Sequence, residues 1–393
     1  MSLRDEIEAV LRAWNAHEIE RGGSPIIDFD CFPGGPQVEA APDRLTVYRR
    51  LAELRPDADG PPASRLDADL AFLGALLGER PSLDDYIRAT QGCGSAGWPD
   101  DYIAERAEMA RRALADLGIG WGPDANTELR QAEGLLDVNE APDAIRQAAQ
   151  ELEPAVREAT GSTAPYTLTI ETTEVDAYWA YWLDGAGDRV RLRLNLPNVE
   201  FTQAGARQFA LHEVLGHGLQ SASFAARAAA EDVPWVRLLS IHGPQQVMLE
   251  GLAQAWPLFI LPDDKVLMAR VRLSHYTQLV LAQVHRALNA GTPAIECADH
   301  LRAAVPWWSG TTIAGYLADR GADPTHRSYM WAYPAGFDWF TALAEADVKV
   351  SREVLNAAYR DPLTPADLAE LWPEGPPIGG PGGPVRLRKP PIP

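Results

Sequence analysis

The chain is short of cysteine, of positive charge and of long apolar runs, and each shortage closes off a class of protein. Its three cysteines, Cys31, Cys93 and Cys297, form no CxxC pair and are odd in number. That argues against a disulfide framework and suits a reducing compartment. Lys and Arg total 35 against 55 Asp and Glu, a net charge of −20, so the basic footprint of a nucleic-acid binder is missing. The longest apolar run, LAQAWPLFILP from Leu252 to Pro262, is too short to span a bilayer. The first residues, MSLRDEIEAVLRAW, are amphipathic and acidic rather than a signal peptide. A cytoplasmic protein is expected, with neither nucleic acid nor membrane as partner. At 393 residues and 46% hydrophobic content it can build a sizeable core, in one large domain or two ordinary ones.

Hydrophobic periodicity divides the chain. A helix is expected over 2–20, with Ser2 as its cap and Ile7, Val10, Leu11 and Trp14 on one face. Further helices are expected near 43–54, 66–78, 83–90 and 100–117, and over 140–160, broken near Pro154. This helical N-terminal region, 1–160, carries no chemical motif and reads as a cover. The stretch 166–198 is β-rich. In RVRLRLNL the residues Val190, Leu192, Leu194 and Leu196 share a face, and DGAGD is a turn, so two or three antiparallel strands are expected. From 203 to about 371 the pattern is helical again, and 372–393 is a Pro/Gly-rich tail, flexible or laid on a neighbour. The fold class implied is mainly α with a small antiparallel β-sheet (α+β), the second region spanning 161–371.

Chemistry concentrates in LHEVLGHGLQ, where His212, Glu213 and His217 fall within one helical stretch. Each residue of an α-helix advances about 100°, so histidines five apart stand about 140° apart, too far to meet at one ion. Either one residue is looped out as a π-bulge, cheapest at Gly216, or the two are not both ligands. Context favours the bulge, since the motif sits in an apolar helix where three polar groups are costly to bury. Some thirty residues on, GPQQVMLEGLAQAWP holds the acid Glu250. Zinc sites of the catalytic type use three protein ligands, which His212, His217 and Glu250 would supply. Glu213, beside a ligand but not itself one, is then the general base. Zn2+ is favoured by that base, although the same set suits Mn2+, Co2+ or Fe2+, including the facial triad of iron oxygenases.

The spacing of HEVLGH is similar to that of dipeptidyl peptidase III, a zinc exopeptidase. A wider resemblance, over roughly 160–370, is to a bacterial family of zinc-peptidase-like (gluzincin-like) proteins of unknown function. Its members carry a HExxPGHHLQ helix, an EGWA helix and a YxxG element. Here HEVLGHGLQ is one residue shorter and lacks the proline, LEGLAQAW aligns through Glu250, Gly251 and Ala253, and YPAG aligns as Tyr333–Gly336. The resemblance implies a zincin-like metallopeptidase architecture and points to Tyr333 as the oxyanion donor, with Tyr329 as second choice.

Around this centre, Arg327 and His326 are candidates for a substrate carboxylate. His275 and His285 lie on one long helix, of which one is expected near the site. His242 is a rival third ligand, or a local cap. Asn195 and Arg193, at the end of the strand beside the site, are candidate substrate contacts. Among twelve tryptophans, Trp179, Trp182, Trp307, Trp308, Trp331 and Trp339 lie in the metal-bearing half, most as core and a few as pocket lining. The expected activity is hydrolysis of a peptide or small amide. The alternatives are a metal-dependent lyase, cyclase or dehydratase in small-molecule biosynthesis, or a non-catalytic metal-binding protein. Oligomeric state, a homodimer included, stays open.

Overall fold

Ser2 caps α1 (Leu3–Glu20) as its position predicts. Its hydroxyl accepts from the Asp5 N–H at 3.2 Å, and Asp5 accepts in return from the Ser2 N–H at 3.3 Å. The structure, a computed structural model, describes residues 2–176, 179–321 and 323–387. After α1 come β1 (Phe29–Asp30), α2 (Arg44–Leu54), α3 (Gly60–Leu76), α4 (Leu83–Gln91) and α5 (Asp100–Ala115). Each expected helix is present within a few residues. The short α6 (Ala125–Ala132) was not anticipated, because only Ala125 and Leu129 of it are buried and no periodic stripe announces it. Following β2 (Leu135–Leu136), α7 (Ala141–Thr160) runs unbroken through Pro154. Pro154 lies on the exposed side, as does Gln150, whose carbonyl loses its donor, so the defect faces water instead of core.

The sheet is mixed, not antiparallel as the alternation suggested. Strands β3 (Thr167–Thr173), β4 (Tyr181–Ala186) and β5 (Arg189–Asn195) are followed by β6 (Phe201–Thr202), which pairs with β2 apart from the main sheet. The hairpin β4–β5 forms as expected. Its second arm inserts beside β3, so β3 and β5 run parallel. Adjacent strands in sequence need not be adjacent in space, and period-2 patterning is blind to that order. Val190, Leu192 and Leu194 are buried as predicted, while Leu196 falls in the turn after β5.

Then α8 (Gln203–Phe209) passes without a break into a π-helical segment, Ala210–Leu219, and on into α9 (Gln220–Ala230). The short β7 (Leu238–Leu239) completes the main sheet, in the order β3-β5-β4-β1-β7. The remainder is helical: α10 (Gln246–Ile260), α11 (Lys265–Asn289), α12 (Ala294–Ala304), α13 (Gly310–Gly321), α14 (Pro324–Tyr329), α15 (Ala332–Ala344), α16 (Val348–Arg360) and α17 (Pro365–Leu371). Cores join early and late segments. Phe29 and Val156 pack with Leu215, Trp256 and Phe337, and Ile103 and Leu114 pack with Leu279 and Val284.

Two close backbone approaches matter here. Helices α10 and α15 cross at Gly251 and Gly336, where a Cβ on either residue would collide with the other helix's backbone. The tail also departs from expectation. Residues 372–387 lie against the chain's own 94–98 loop, with Gly97 N–H donating to Gly379 O at 2.8 Å and Gly383 N–H to Ala96 O at 2.9 Å. Glycines at 379, 380 and 383 let one backbone lie directly on another, which a composition rule reads only as looseness. Residues 388–393 lie outside the described residues.

Candidate metal centre

The π-helical segment resolves the spacing problem. Its backbone bonds close five residues apart instead of four, so His212 and His217 stack on one face. Their Nε2 atoms are 3.2 Å apart. The expected single bulge at Gly216 is in fact a ten-residue segment. Gly216 lies inside it, packed on Ala253 of α10, where a Cβ would meet the Leu211 carbonyl oxygen at 2.7 Å and Ala253 Cβ at 3.1 Å.

From α10, Glu250 brings Oε2 to 3.5 Å from His212 Nε2 and Oε1 to 3.7 Å from His217 Nε2. Ligand atoms of the three residues lie within 4.8 Å of one another. Zinc bonds of about 2.0–2.2 Å at tetrahedral angles put neighbouring ligand atoms about 3.3–3.5 Å apart. The residues therefore fit the metal. Glu250 Oε2 is also buried without a hydrogen-bond partner among the described residues, a costly state that a cation between the three side chains removes.

Charges are arranged to match. Burial pushes Glu250 up, but His217 and His212 outweigh it and hold the carboxylate well below its ordinary range. Burial favours neutral His217, yet Glu250 and then Glu213 raise it. Glu213 is 5% exposed. Burial pushes its carboxyl group above the ordinary value, the two histidines oppose this, and Glu250 adds to it. Its Oε1 lies 3.5 Å from His212 Nε2. A carboxyl group raised in this way and placed beside the ligands can both take and return a proton.

Both tyrosines reach the centre, in the reverse order of preference. Tyr329 OH donates directly to Glu250 Oε1, and Tyr333 OH donates to Tyr329 OH at 2.9 Å. Tyr329 thus holds the Glu250 carboxylate. Tyr329→Phe is expected to weaken zinc binding by about 10–100-fold with the fold intact, the usual effect of losing such a partner. Tyr333→Phe is expected to do less. Competition with a chelating dye measures both; equal affinities for wild type and Tyr329→Phe would remove the tyrosine from the site.

The centre opens into a cavity of about 590 Å³. Glu18, Asp28, Phe29 and Phe72 from the N-terminal region form one wall, and Trp179 and Trp182 form another. Trp331 and Trp339 are core residues. The N-terminal wall was invisible in the sequence, because Asp28 and Phe29 sit in a Gly/Pro-rich stretch without periodicity.

Several sequence candidates are engaged elsewhere. Asn195 is fully buried, and its amide is bonded to Val175 N–H, Val175 O and Trp179 O. Arg193 pairs with Asp184 at 2.6 Å. Arg327 donates to Asn289 Oδ1 and Pro81 O and lies over the Tyr86 ring, while its neighbour His326 lines the cavity. His275 pairs with buried Asp338 at 2.8 Å. His285 sits 3.1 Å from the Arg327 carbonyl, and burial lowers it to about 3. His242 lines the cavity but pairs with Asp69 at 2.8 Å and stacks on Phe72, so it is no third ligand. For Asn195, Arg327, His275 and His242 the partners lie sixteen or more residues away in sequence.

No family model matches the chain, and no curated protein matches it. Among solved structures, a protein of Colwellia psychrerythraea described as a "putative lipoprotein" is similar, with a TM-score of 0.54 at 14% identity. The match covers 83% of this chain and 59% of that one, so this chain spans less than two thirds of its length. At that identity the likeness is one of fold alone. Among the described residues no helix is long and apolar enough to cross a membrane.

Proposed function

We propose that the protein is a zinc-dependent hydrolase of a peptide or small amide, with His212, His217 and Glu250 as ligands. The observation that carries this reading is the convergence of two imidazole nitrogens and an orphaned buried carboxylate oxygen at ligand spacing, beside the raised acid Glu213. Zinc, when bound, supplies a Lewis acid for a carbonyl oxygen and makes water more acidic. Glu213 takes the proton from the attacking water and returns it to the leaving amine. Tyr329 fixes Glu250, and Tyr333 fixes Tyr329. The aromatic wall of Trp179 and Trp182 keeps bulk water from the reacting group. The resemblance of HEVLGH and LEGLA to zinc-peptidase-like proteins supports the same ligand and base roles, and the base beside the ligands favours zinc over iron, manganese or cobalt. Three buried free cysteines suit a cytoplasmic location.

The cavity, at about 590 Å³, is of the size that encloses one small molecule. That size favours a small amide over a folded protein. It is also what supports the second reading, a metal-dependent lyase, cyclase or dehydratase acting on a small molecule. The test is Glu213→Gln in zinc-loaded protein assayed on a panel of dipeptides and aminoacyl anilides. Metal content is expected to stay unchanged and turnover to fall by about 10²–10⁴-fold. Hydrolysis that survives the substitution overturns the role of Glu213. A loaded wild type that leaves every amide intact shifts the reading to the second.

A further inference from the structure

The cavity holds a carboxyl group that the metal reading does not use. Asp28, just before β1, lines both the metal cavity and a larger, more open cleft of about 1380 Å³ that runs over the polar face of the sheet. It therefore stands where the two meet, with Trp179 and Trp182, which also line both. Its backbone N–H is bound to Leu239 O at 2.9 Å, which fixes its place. Its Oδ2 is buried with no hydrogen-bond partner among the described residues. Arg65 is near enough to lower its pKa; Nε of that guanidinium bonds Asp69 and Nη1 bonds the Leu238 carbonyl, while Nη2 is buried and makes no hydrogen bond to Asp28 or to any other described residue. Burial, with Glu250 adding to it, pushes the Asp28 carboxyl group up to about 8. The unpartnered oxygen, at the junction of the two spaces, is open to a donor from outside.

The surroundings favour a cation from outside. Glu18, Asp28, Glu213, Glu250 and Asp323 all line the cavity, and its one arginine, Arg44, is already bonded to both oxygens of Glu18. Phe29, Phe72, Trp179 and Trp182 add aromatic rings to the lining, a residue type that can hold an ammonium group when it is partly desolvated. We infer that Asp28 is a substrate-specificity residue that receives a cationic amine or guanidinium arm of the substrate while the reacting group lies at the metal centre. This rests on the hydrolase reading for the position of the reacting group, but not for the amine itself.

The probes are benzylamine, a cation at neutral pH, and benzyl alcohol, its neutral counterpart. Their binding is measured by calorimetry and by tryptophan quenching, on zinc-loaded protein and on protein stripped with a chelator. Asp28→Asn keeps the shape of the side chain and removes its capacity for charge. Wild type is expected to bind the amine about tenfold or more tightly than the alcohol in both states, as for a charge-assisted hydrogen bond in a buried site. Asp28→Asn is expected to lose that preference while binding the alcohol, zinc and denaturant as wild type does. Equal affinities in wild type, a preference that survives in Asp28→Asn, or no binding of either probe at millimolar concentration overturns the inference. The stripped arm separates the two ideas. Failure to load zinc sinks the hydrolase reading and leaves the amine preference to be read, whereas loaded protein without the preference sinks this inference alone.

Discussion

Wild-type protein exchanged into zinc is expected to retain one equivalent after gel filtration, and His212→Ala, His217→Ala and Glu250→Ala to retain less than a tenth of it. The ground is geometric. One ligand atom from each of the three residues lies within 4.8 Å of the others, so only small side-chain shifts are needed to bring them to the separations of a tetrahedral ion. Loss of one ligand leaves two, and affinity falls by more than the 10–100-fold typical of losing an outer partner. Elemental analysis reads the stoichiometry directly. Thermal unfolding gives an independent reading, since an ion at a thousand times its Kd stabilises the native state by about 4 kcal/mol, a gain expected in wild type and absent in the three variants. Unchanged metal content in His217→Ala would show that the paired histidines are not a site. Iron in place of zinc would redirect the chemistry toward oxidation.

The second large effect is expected at a contact between two backbones, with no side chain in it. Gly336→Ala is predicted to destabilise the fold by about 3 kcal/mol or more, the upper end for overpacking a core, and to lower metal affinity as well. The added Cβ falls on the Val247 carbonyl oxygen, and the backbone atoms of Gly251 lie next to it. Neither neighbour can swing aside, so α10 and α15 must part. Glu250 precedes Gly251, and Tyr333 lies one turn before Gly336, so the parting also loosens a ligand and its support. Gly315→Ala in α13 is the control. Its Cβ meets nothing within 4 Å, so it is expected to be neutral or mildly stabilising. Urea midpoints of the two variants decide the matter, and equal midpoints would mean that the helices tolerate separation.

Those two glycines also show what kind of information the sequence carried. That HEVLGH and Glu250 come together was legible from residue type and spacing, and YPAG was singled out by its resemblance to a family motif, whereas the close approach of Gly251 and Gly336 was not foreseen. The β4–β5 hairpin was legible through its alternation and its turn. Asn195, Arg327 and His275 were read as substrate contacts because a polar residue near a site looks unsatisfied until its partner is known. Their partners are Val175 and Trp179, Asn289 and Pro81, and Asp338. No local pattern encodes such pairings. Asp28 was overlooked for the opposite reason, since it resembles any loop carboxylate until the cavity around it is seen. The parallel pairing of β3 with β5 was hidden likewise, because strand order is a property of the sheet and not of any one strand.

Phe29 and Asp30 pair with Gly185 and Ala186 on one side and with Leu239 and Leu238 on the other. Contacts so distant along the chain carry a large loop-closure cost and form late in folding. On the ribosome these two residues lack their second partner until Leu239 has been made. The helix that bears His212 and His217 is synthesised before that partner, which locks the Asp28 wall in place. Timing thus separates two events that the finished structure joins: the paired histidines emerge while the chamber around them still lacks a side, and only closure of the strand set encloses them.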